Sequence, residues 1–311
     1  METWWLLSDQ IAQDPVTNEK QAIDQLESLL QQSVEYRMIS DVPLGTFLSG
    51  GIDSSLVTAT AQKMSDQPVQ TFSIGFNEPQ YDESRYARQV AEHLGKEHHE
   101  FILSQNDALQ RVEDSLDVYD QPFGDTSAIP TMLVSQMARE HVTVALSGDG
   151  GDETHLGYGS YTWANRLNNP FVRATRWPIA AGLGMLSNRH KRAAQVFRFP
   201  NGAQENSRIF SQEQYCFNRA EIRQILRPVA RLEFKFEEEF AGLPRELAPG
   251  EAQAFFDLHY YLPDDLLVKV DRASMLFGLE VRVPLLDHRL MEYGLNIRPS
   301  LKLKMSRQNI Y

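Results

Sequence analysis

Cysteine is almost absent from this sequence, Cys216 being the only one in 311 residues. Within one chain this excludes a disulfide framework, a CxxC redox pair and a cysteine-rich zinc site. Met1 to Asp14 carries acids and lacks a basic start, so there is no signal-peptide pattern and the expected compartment is the cytoplasm. Long apolar runs are missing as well. The longest, Pro178 to Leu186, is far short of the roughly 20 residues a membrane-spanning helix needs, so no membrane association is expected. Positive charge is in deficit, with 30 Lys and Arg against 42 Asp and Glu and a formal net charge of −12. That balance argues against a broad nucleic-acid surface. What remains, at 42% hydrophobic residues, is a globular chain able to bury a core in one large domain or two.

The stretch that organises the rest is Thr46-Phe47-Leu48-Ser49-Gly50-Gly51-Ile52-Asp53-Ser54-Ser55. An apolar run from Leu44 to Leu48 stops at a small-residue turn, and a helical pattern follows from Leu56 to Met64. Glycines permit close backbone approach, and the unpaired N–H groups and positive dipole end of a helix N-terminus favour a polyphosphate. An ordinary strand-to-helix turn capped by Ser or Asp is the alternative.

Taken in order, Met1 to Thr17 reads as an extended lead-in carrying Trp4 and Trp5. Helical spacing runs from Ala22 to Met38 with Asn18 as cap. Strands are expected at Val69 to Phe76, His98 to Leu103 and Val142 to Leu146, with helices at Tyr81 to Leu94, Asp107 to Tyr119 and Ile129 to Arg139. This alternation predicts an α/β fold with a doubly wound parallel sheet and a largely helical C-terminal half. His93, His98 and His99 have no acid or cysteine at ligand spacing and read as solvated or capping residues. Helices are expected over Phe255 to Leu262 and Asp264 to Phe277, with Val281 to Leu286 leading into a last short one.

Ligands of doubly wound sheets bind beyond the carboxyl ends of the strands, where the loops after Leu48, Phe76 and Leu146 converge. The last of these reads Ser147-Gly148-Asp149-Gly150-Gly151-Asp152-Glu153. Three carboxylates so close repel one another unless a cation lies among them. Mg²⁺, which takes one or two carboxylates together with water and phosphate oxygens, suits that demand, and Asp53 and Asp152 could hold it jointly. A solvated acidic loop or a helix start is the alternative. Known fingerprints do not cover these loops. No lysine follows the first at the GxxxxGK[ST] spacing, Gly148 to Glu153 fails GxGxxG at its last position, and GxSxG is absent from both.

SGGIDSS at Ser49 to Ser55 resembles the pyrophosphate-loop signature of the ATP pyrophosphatases. LSGDGGDE at Leu146 to Glu153, DQPFGDTSAIP at Asp120 to Pro130 and LPDDLLVKVDRASMLFGLEVRVPLLD at Leu262 to Asp287 are similar to the synthetase domain of glutamine-dependent asparagine synthetases of the class B type. The resemblance runs from about Trp5 to Pro299. It implies that Leu48, Ile74, Ser147 and Gly148 contact the adenine nucleotide of ATP. Ser49, Gly50, Gly51, Ser54 and Ser55 match the pyrophosphate loop, and Asp53 and Asp152 the magnesium pair. Asp149 occupies the position of an acid, often glutamate, implicated in forming the acyl-adenylate and in its attack by ammonia. Asp271 and Arg272 either support the site or form a structural ion pair. The implied reaction joins aspartate and ammonia at the expense of ATP. Relatives of the β-lactam synthetase and lasso-peptide cyclase type adenylate other carboxylates on the same fold, and an inactive nucleotide-binding fragment is a further reading.

In the glutamine-dependent enzymes a glutaminase domain precedes this region, with an N-terminal nucleophilic cysteine, whereas here Glu2 follows Met1. Residues 1–17 are therefore expected to be a linker from such a domain, and 18–311 the synthetase domain, ending short of the helices that in the family carry a lysine assisting adenylate and amide formation. Neither Lys302 nor Lys304 maps onto that lysine. A glutaminase domain or subunit and a second copy of the chain are the partners the family suggests. From Trp163 to Phe199 arginines interleave with aromatics, a mixture suiting an RNA-binding patch, as in a tRNA-modifying pyrophosphatase, or an amphipathic helical insertion.

Overall fold

The protein is described by a computed structural model over residues 4–77, 82–95, 97–198, 206, 209–210, 240 and 242–303. Contacts sort the chain into two compact units. One holds Val16–His155 and Tyr260–Leu295, the other Met1–Pro15, Leu156–His259 and Asn296–Tyr311.

The first unit is built on a parallel sheet. Helix α1 (Glu19–Met38) opens it, with the Asn18 side chain accepting from the Gln21 N–H as an N-cap. Strand β1 (Leu44–Phe47), helix α2 (Ile52–Met64), β2 (Gln70–Phe76), α3 (Ser84–Leu94) and β3 (His98–Leu103) follow. Two short helices, α4 (Gln105–Gln110) and α5 (Val112–Val118), replace the single helix expected over Asp107 to Tyr119, the break falling at Arg111. Helix α6 (Ala128–Arg139) leads to β4 (Val144–Leu146), and α7 (Gly151–His155) closes this half. With a fifth strand, β5 (Glu280–Arg282), the strands lie in the order β3-β2-β1-β4-β5, all neighbours parallel, so the doubly wound architecture is observed.

Strand β5 (Glu280–Arg282) was not expected from the sequence. It is short and only partly buried, and its pairing with β4 supplies the order that alternation could not. The sequence also suggested two helices separated near Pro263. A continuous helical stretch is found instead, made of the π-helical segment Asp257–Leu266 and α12 (Leu267–Met275). Proline lacks an N–H and clashes with the carbonyl four residues back in an α-helix, and the wider π turn carries Pro263 without ending the helix. A 3₁₀ turn (Pro284–Leu286) and α13 (His288–Leu295) complete this unit.

Two apolar clusters separate the faces of the sheet. Leu29, Leu30 and Val34 of α1, Val57 and Ala61 of α2 and Leu290 of α13 pack with Leu146. Ala145, the preceding residue, lies with Phe72, Val142 and Leu279 against Ala138 of α6. Because adjacent strand residues point to opposite faces, α1, α2 and α13 cover one side and α6 the other. Met132 of α6 packs with Ala273 of α12, which places α12 on the α6 side. The chain thus leaves β1 over one face and enters β4 over the other, and β1 and β4 border the topological switch point.

In the second unit, Leu7 and Ile11 are buried in the lead-in, which makes a 3₁₀ turn at Ser8–Gln10 instead of running fully extended. Asn296 holds it, accepting from the Ala12 N–H and donating to the Gln10 carbonyl. Helices α8 (Gly159–Leu167), α9 (Pro170–Gly184), α10 (Asn188–Val196), α11 (Pro249–Phe256) and α14 (Pro299–Lys302) make up the rest. Trp163, Phe171 and Trp177 are largely exposed, with Arg166 over the Trp163 ring and Arg176 over that of Trp177. Phe199 and Lys304 lie outside the described residues. Among the described residues no helix is long and apolar enough to cross a membrane.

Leu146 is fully buried where β4 meets α1 and α2. Leu146→Ala is expected to lower stability by about 2–5 kcal/mol in urea denaturation, whereas Asp24→Ala on the exposed face of α1 should stay within about 0.5 kcal/mol.

Candidate functional site

Two loops meet at the carboxyl ends of β1 and β4. In the first, Gly50 has φ +86°, and a Cβ there would stand 2.5 Å from the Ala87 backbone nitrogen in α3. Both the backbone conformation and the space require glycine. The serines stitch the turn together. The Ser49 and Ser54 hydroxyls are 2.9 Å apart, the Ser49 N–H donates to Ser54 Oγ, and the Gly51 N–H donates to Ser49 Oγ. Helix α2 then starts at Ile52, earlier than the apolar periodicity suggested, with no side-chain cap at Gly51. Its first N–H groups therefore face the loop without a capping oxygen. Ser55 Oγ is buried and has no hydrogen-bond partner, a polar atom suited to a phosphate oxygen.

The second loop is tied to the sheet where the Ser147 N–H donates to the Arg282 carbonyl of β5 at 2.9 Å. Ser147 Oγ donates to Asp149 Oδ2, and the Asp149 N–H donates back to Ser147 Oγ at 3.3 Å. Gly150 repeats the left-handed turn at φ +86°. A Cβ on Gly148 would meet the Ser54 backbone nitrogen at 2.6 Å, and one on Gly151 would meet the Asp53 carboxyl carbon at 2.5 Å. These glycines let the second loop press against the start of α2.

The contact concentrates negative charge. Burial pushes the Asp53 carboxyl up to about 7, with Asp152 and then Asp149 adding to it. Burial and the nearby Asp149 also raise Asp152. Among the described residues there is no preformed cluster of three or more acidic, histidine or cysteine ligands. A hard cation bound by two carboxylates, with phosphate oxygens and water completing its shell, is the arrangement these residues fit, and Asp53 and Asp152 are the two that would hold Mg²⁺.

The remaining sequence candidates are dispersed around this centre. Leu48 is fully buried among Ala87 and Ala91, and its N–H donates to the Phe72 carbonyl at 2.9 Å. Ile74 is half-buried on β2, paired beside Phe101 of β3. Arg272 forms an ion pair of 2.6 Å with Asp120, both largely exposed. His98, expected to be solvated or capping, is held between Thr71 Oγ1 and Ser73 Oγ, and His99 stacks on Phe72 with the His141 ring tilted beside it. Both histidines lie on β3, where the partly buried strand surface replaces water with neighbouring side chains.

One cluster was not singled out by its sequence. Lys269, buried in α12, donates to Asp125 Oδ2 at 2.9 Å and to Ser127 Oγ at 2.8 Å. The Ser127 N–H and hydroxyl both donate to Asp125 Oδ1 at 2.7 Å. The Tyr119 hydroxyl donates to the Lys269 carbonyl at 3.3 Å. Asp265 lies one helical turn before Lys269. The acid and lysine four residues apart were the available signal, but only tertiary contact adds Asp125.

With this geometry in view, the comparisons place the chain. The asparagine synthase family model matches residues 25–309, and the protein belongs to that family. A putative glutamine-hydrolyzing asparagine synthetase 2 of Methanocaldococcus jannaschii is 36% identical over 285 residues, covering 88% of this chain and 52% of the relative. Glutamine-hydrolyzing asparagine synthetase 1 of Bacillus subtilis is 30% identical over 307 residues, covering 93% and 46%. The human asparagine synthetase is 26% identical over 288 residues, covering 89% and 36%. The chain spans about half the length of the first two relatives or less of the third.

The raised carboxyl of Asp53 means that the folded state holds a proton there that the unfolded state releases near its ordinary value of 3.8. Its cost to stability should therefore be absent at pH 4, grow as pH rises towards 7 and level off above. Asp53→Asn is expected to raise Tm by about 2–6 °C at pH 8 without added metal, with no gain at pH 4. Gly148→Ala should lower nucleotide affinity at least tenfold by parting the loops, while Gly95→Ala, where a Cβ meets nothing within 4 Å, should leave it unchanged in titration calorimetry.

Proposed function

We propose that this chain is the synthetase part of an ATP-dependent amide-forming ligase of the cytoplasm, in which residues 18–311 form the catalytic domain and residues 1–17 join it to a glutaminase domain. Its substrates on this reading are ATP, aspartate and ammonia. The observation that carries it is the apposition of Asp53 with the Gly148-to-Asp152 loop at the switch point, beside the partnerless Ser55 hydroxyl. The names of the relatives, asparagine synthetases, support the choice of product.

In this account the N–H groups and hydroxyls of Ser49, Gly50, Gly51, Ser54 and Ser55 bind the β- and γ-phosphates, which become the leaving group. Leu48, Ile74, Ser147 and Gly148 position the adenine nucleotide. The side-chain carboxylate of aspartate attacks the α-phosphorus, a P–O bond forms as the bond to pyrophosphate breaks, and an aspartyl-AMP results. Asp53 and Asp152 would hold Mg²⁺, which would supply charge neutralisation for the departing oxygens. Ammonia then attacks the acyl carbon, AMP departs, and the proton lost by nitrogen passes to a carboxylate. Asp149, fixed by the Ser147 hydroxyl, is the acid proposed to accept it. Its side chain is one methylene shorter than glutamate.

The test is pyrophosphate release with a panel of carboxylates, ammonia and Mg²⁺. Aspartate-dependent release with asparagine as product is expected, reduced about 10²–10³-fold in Asp53→Asn and Asp152→Asn. Release dependent only on another carboxylate would assign the chain to the β-lactam synthetase or lasso-peptide cyclase type. Unaltered release in both variants would remove these acids from the reaction.

A further inference from the structure

Helix α9 of the second unit turns an apolar side to water. The exposed positions Phe171, Ala174, Trp177, Pro178 and Ala181 recur at the three- and four-residue spacing of one helix face, and Met185 continues the row just past the helix end. No polar residue interrupts this row. Its large side chains stand well clear of the protein, Phe171 at 73% exposure, Trp177 at 58% and Met185 at 86%. Ala180, on the opposite side, is buried, and α9 packs against α8 and α10. The helix therefore has one face committed to its neighbours and a second apolar face without a covering among them.

The charge carried with this row is of one sign. From Thr154 to Gln204 there is no Asp or Glu, in a chain whose net charge is −12, while that stretch holds seven Arg and Lys. Arg166, Arg173, Lys191 and Arg198 are exposed, and the Arg166 and Arg176 guanidinium groups lie over the Trp163 and Trp177 rings at 5.5 and 5.8 Å. This combination narrows the occupant. A second copy would bring the same positive charge against itself. A single-stranded nucleic acid would use the aromatic rings and the guanidinium groups, but Ala174, Pro178, Ala181 and Met185 offer it neither a stacking ring nor a hydrogen bond. A bilayer with anionic headgroups takes both parts. The apolar row enters the boundary between headgroups and acyl chains, the tryptophan rings lie at headgroup depth, and the cations meet lipid phosphates. The run from Pro178 to Leu186 is too short to cross a membrane, but a helix lying along the surface requires only one continuous apolar face.

We propose that the exposed face of α9 is a peripheral binding surface for membranes rich in anionic lipid. Phe171, Trp177 and Met185 supply the apolar contact, and the flanking arginines and lysines select the headgroup charge. The inference does not rest on the ligase reading, and its test needs no substrate.

The full chain is floated with vesicles of phosphatidylcholine and phosphatidylglycerol in equal parts, and with vesicles of phosphatidylcholine alone. The wild type should partition at least tenfold more strongly into the anionic vesicles and lose most of that preference at about 1 M salt. Trp177→Ser combined with Met185→Ser should weaken binding tenfold or more with an unchanged thermal transition, since both side chains are exposed. Arg173→Gln combined with Lys191→Gln should weaken binding to anionic vesicles about fivefold or more, whereas Ile23→Ser, at an exposed apolar position of α1, should leave it within about twofold. Brominated acyl chains should quench tryptophan emission of the wild type. Trp177→Phe, which keeps an apolar ring, should remove most of that quenching without loss of binding. Failure to bind anionic vesicles, equal binding by wild type and the double serine variant, or unchanged quenching in Trp177→Phe would each overturn the proposal. So would a single-stranded RNA oligonucleotide or a self-association equilibrium that depends on Trp177 and Met185 when vesicles do not bind, and these outcomes would give the face to nucleic acid or to a second copy.

Discussion

The close contact of two glycine-containing loops is the constraint on which the centre of this protein depends. Gly148 lies where any side chain would strike the Ser54 backbone, and Gly151 where it would strike the Asp53 carboxylate. That contact is possible because β1 and β4 are neighbours in the sheet and their loops leave from the same edge. The same closeness takes Asp53 out of water and sets Asp152 and Asp149 beside it, which disfavours its charge. Bringing carboxylates together in this way costs stability, a cost that a bound cation would offset.

Other parts of the first unit brace this edge. Arg37 and Arg289 hold Asp287, and although burial works against its charge, their hydrogen bonds bring its carboxyl down to about 2. Arg282 of β5 donates to the carbonyls of Arg37 and Ile39, while its own carbonyl receives the Ser147 N–H. The strand that anchors the second loop is thus fastened to α1. Asp287, with firm partners, and Asp53, among other acids, thus have opposite electrostatic settings within the same unit.

Much of this was legible in the sequence because the signals were local. Small residues and acids between an apolar run and a helical repeat marked both loops, and alternating periodicities marked the doubly wound sheet. Strand β5 was not legible, since three residues, one exposed and two partly buried, carry too little pattern to separate a strand from a turn. Pro263 read as a break because its effect on an α-helix is severe, and a π-helical stretch leaves no simple sequence sign. The Asp125–Lys269 pair joins residues 144 positions apart, so nothing in a local window could have associated them.

The central claim, that the two loops form a site whose Asp53 carboxyl is partly protonated until a cation binds, is tested most directly by proton release. Titration of Mg²⁺ and a non-hydrolysable ATP analogue in buffers of different ionisation enthalpy counts the protons displaced on binding. With the Asp53 carboxyl at about 7, the account predicts release of roughly half a proton from this group at pH 7, falling towards zero at pH 9 and lost in Asp53→Asn. Binding with the same proton count in wild type and Asp53→Asn at pH 7 would contradict it.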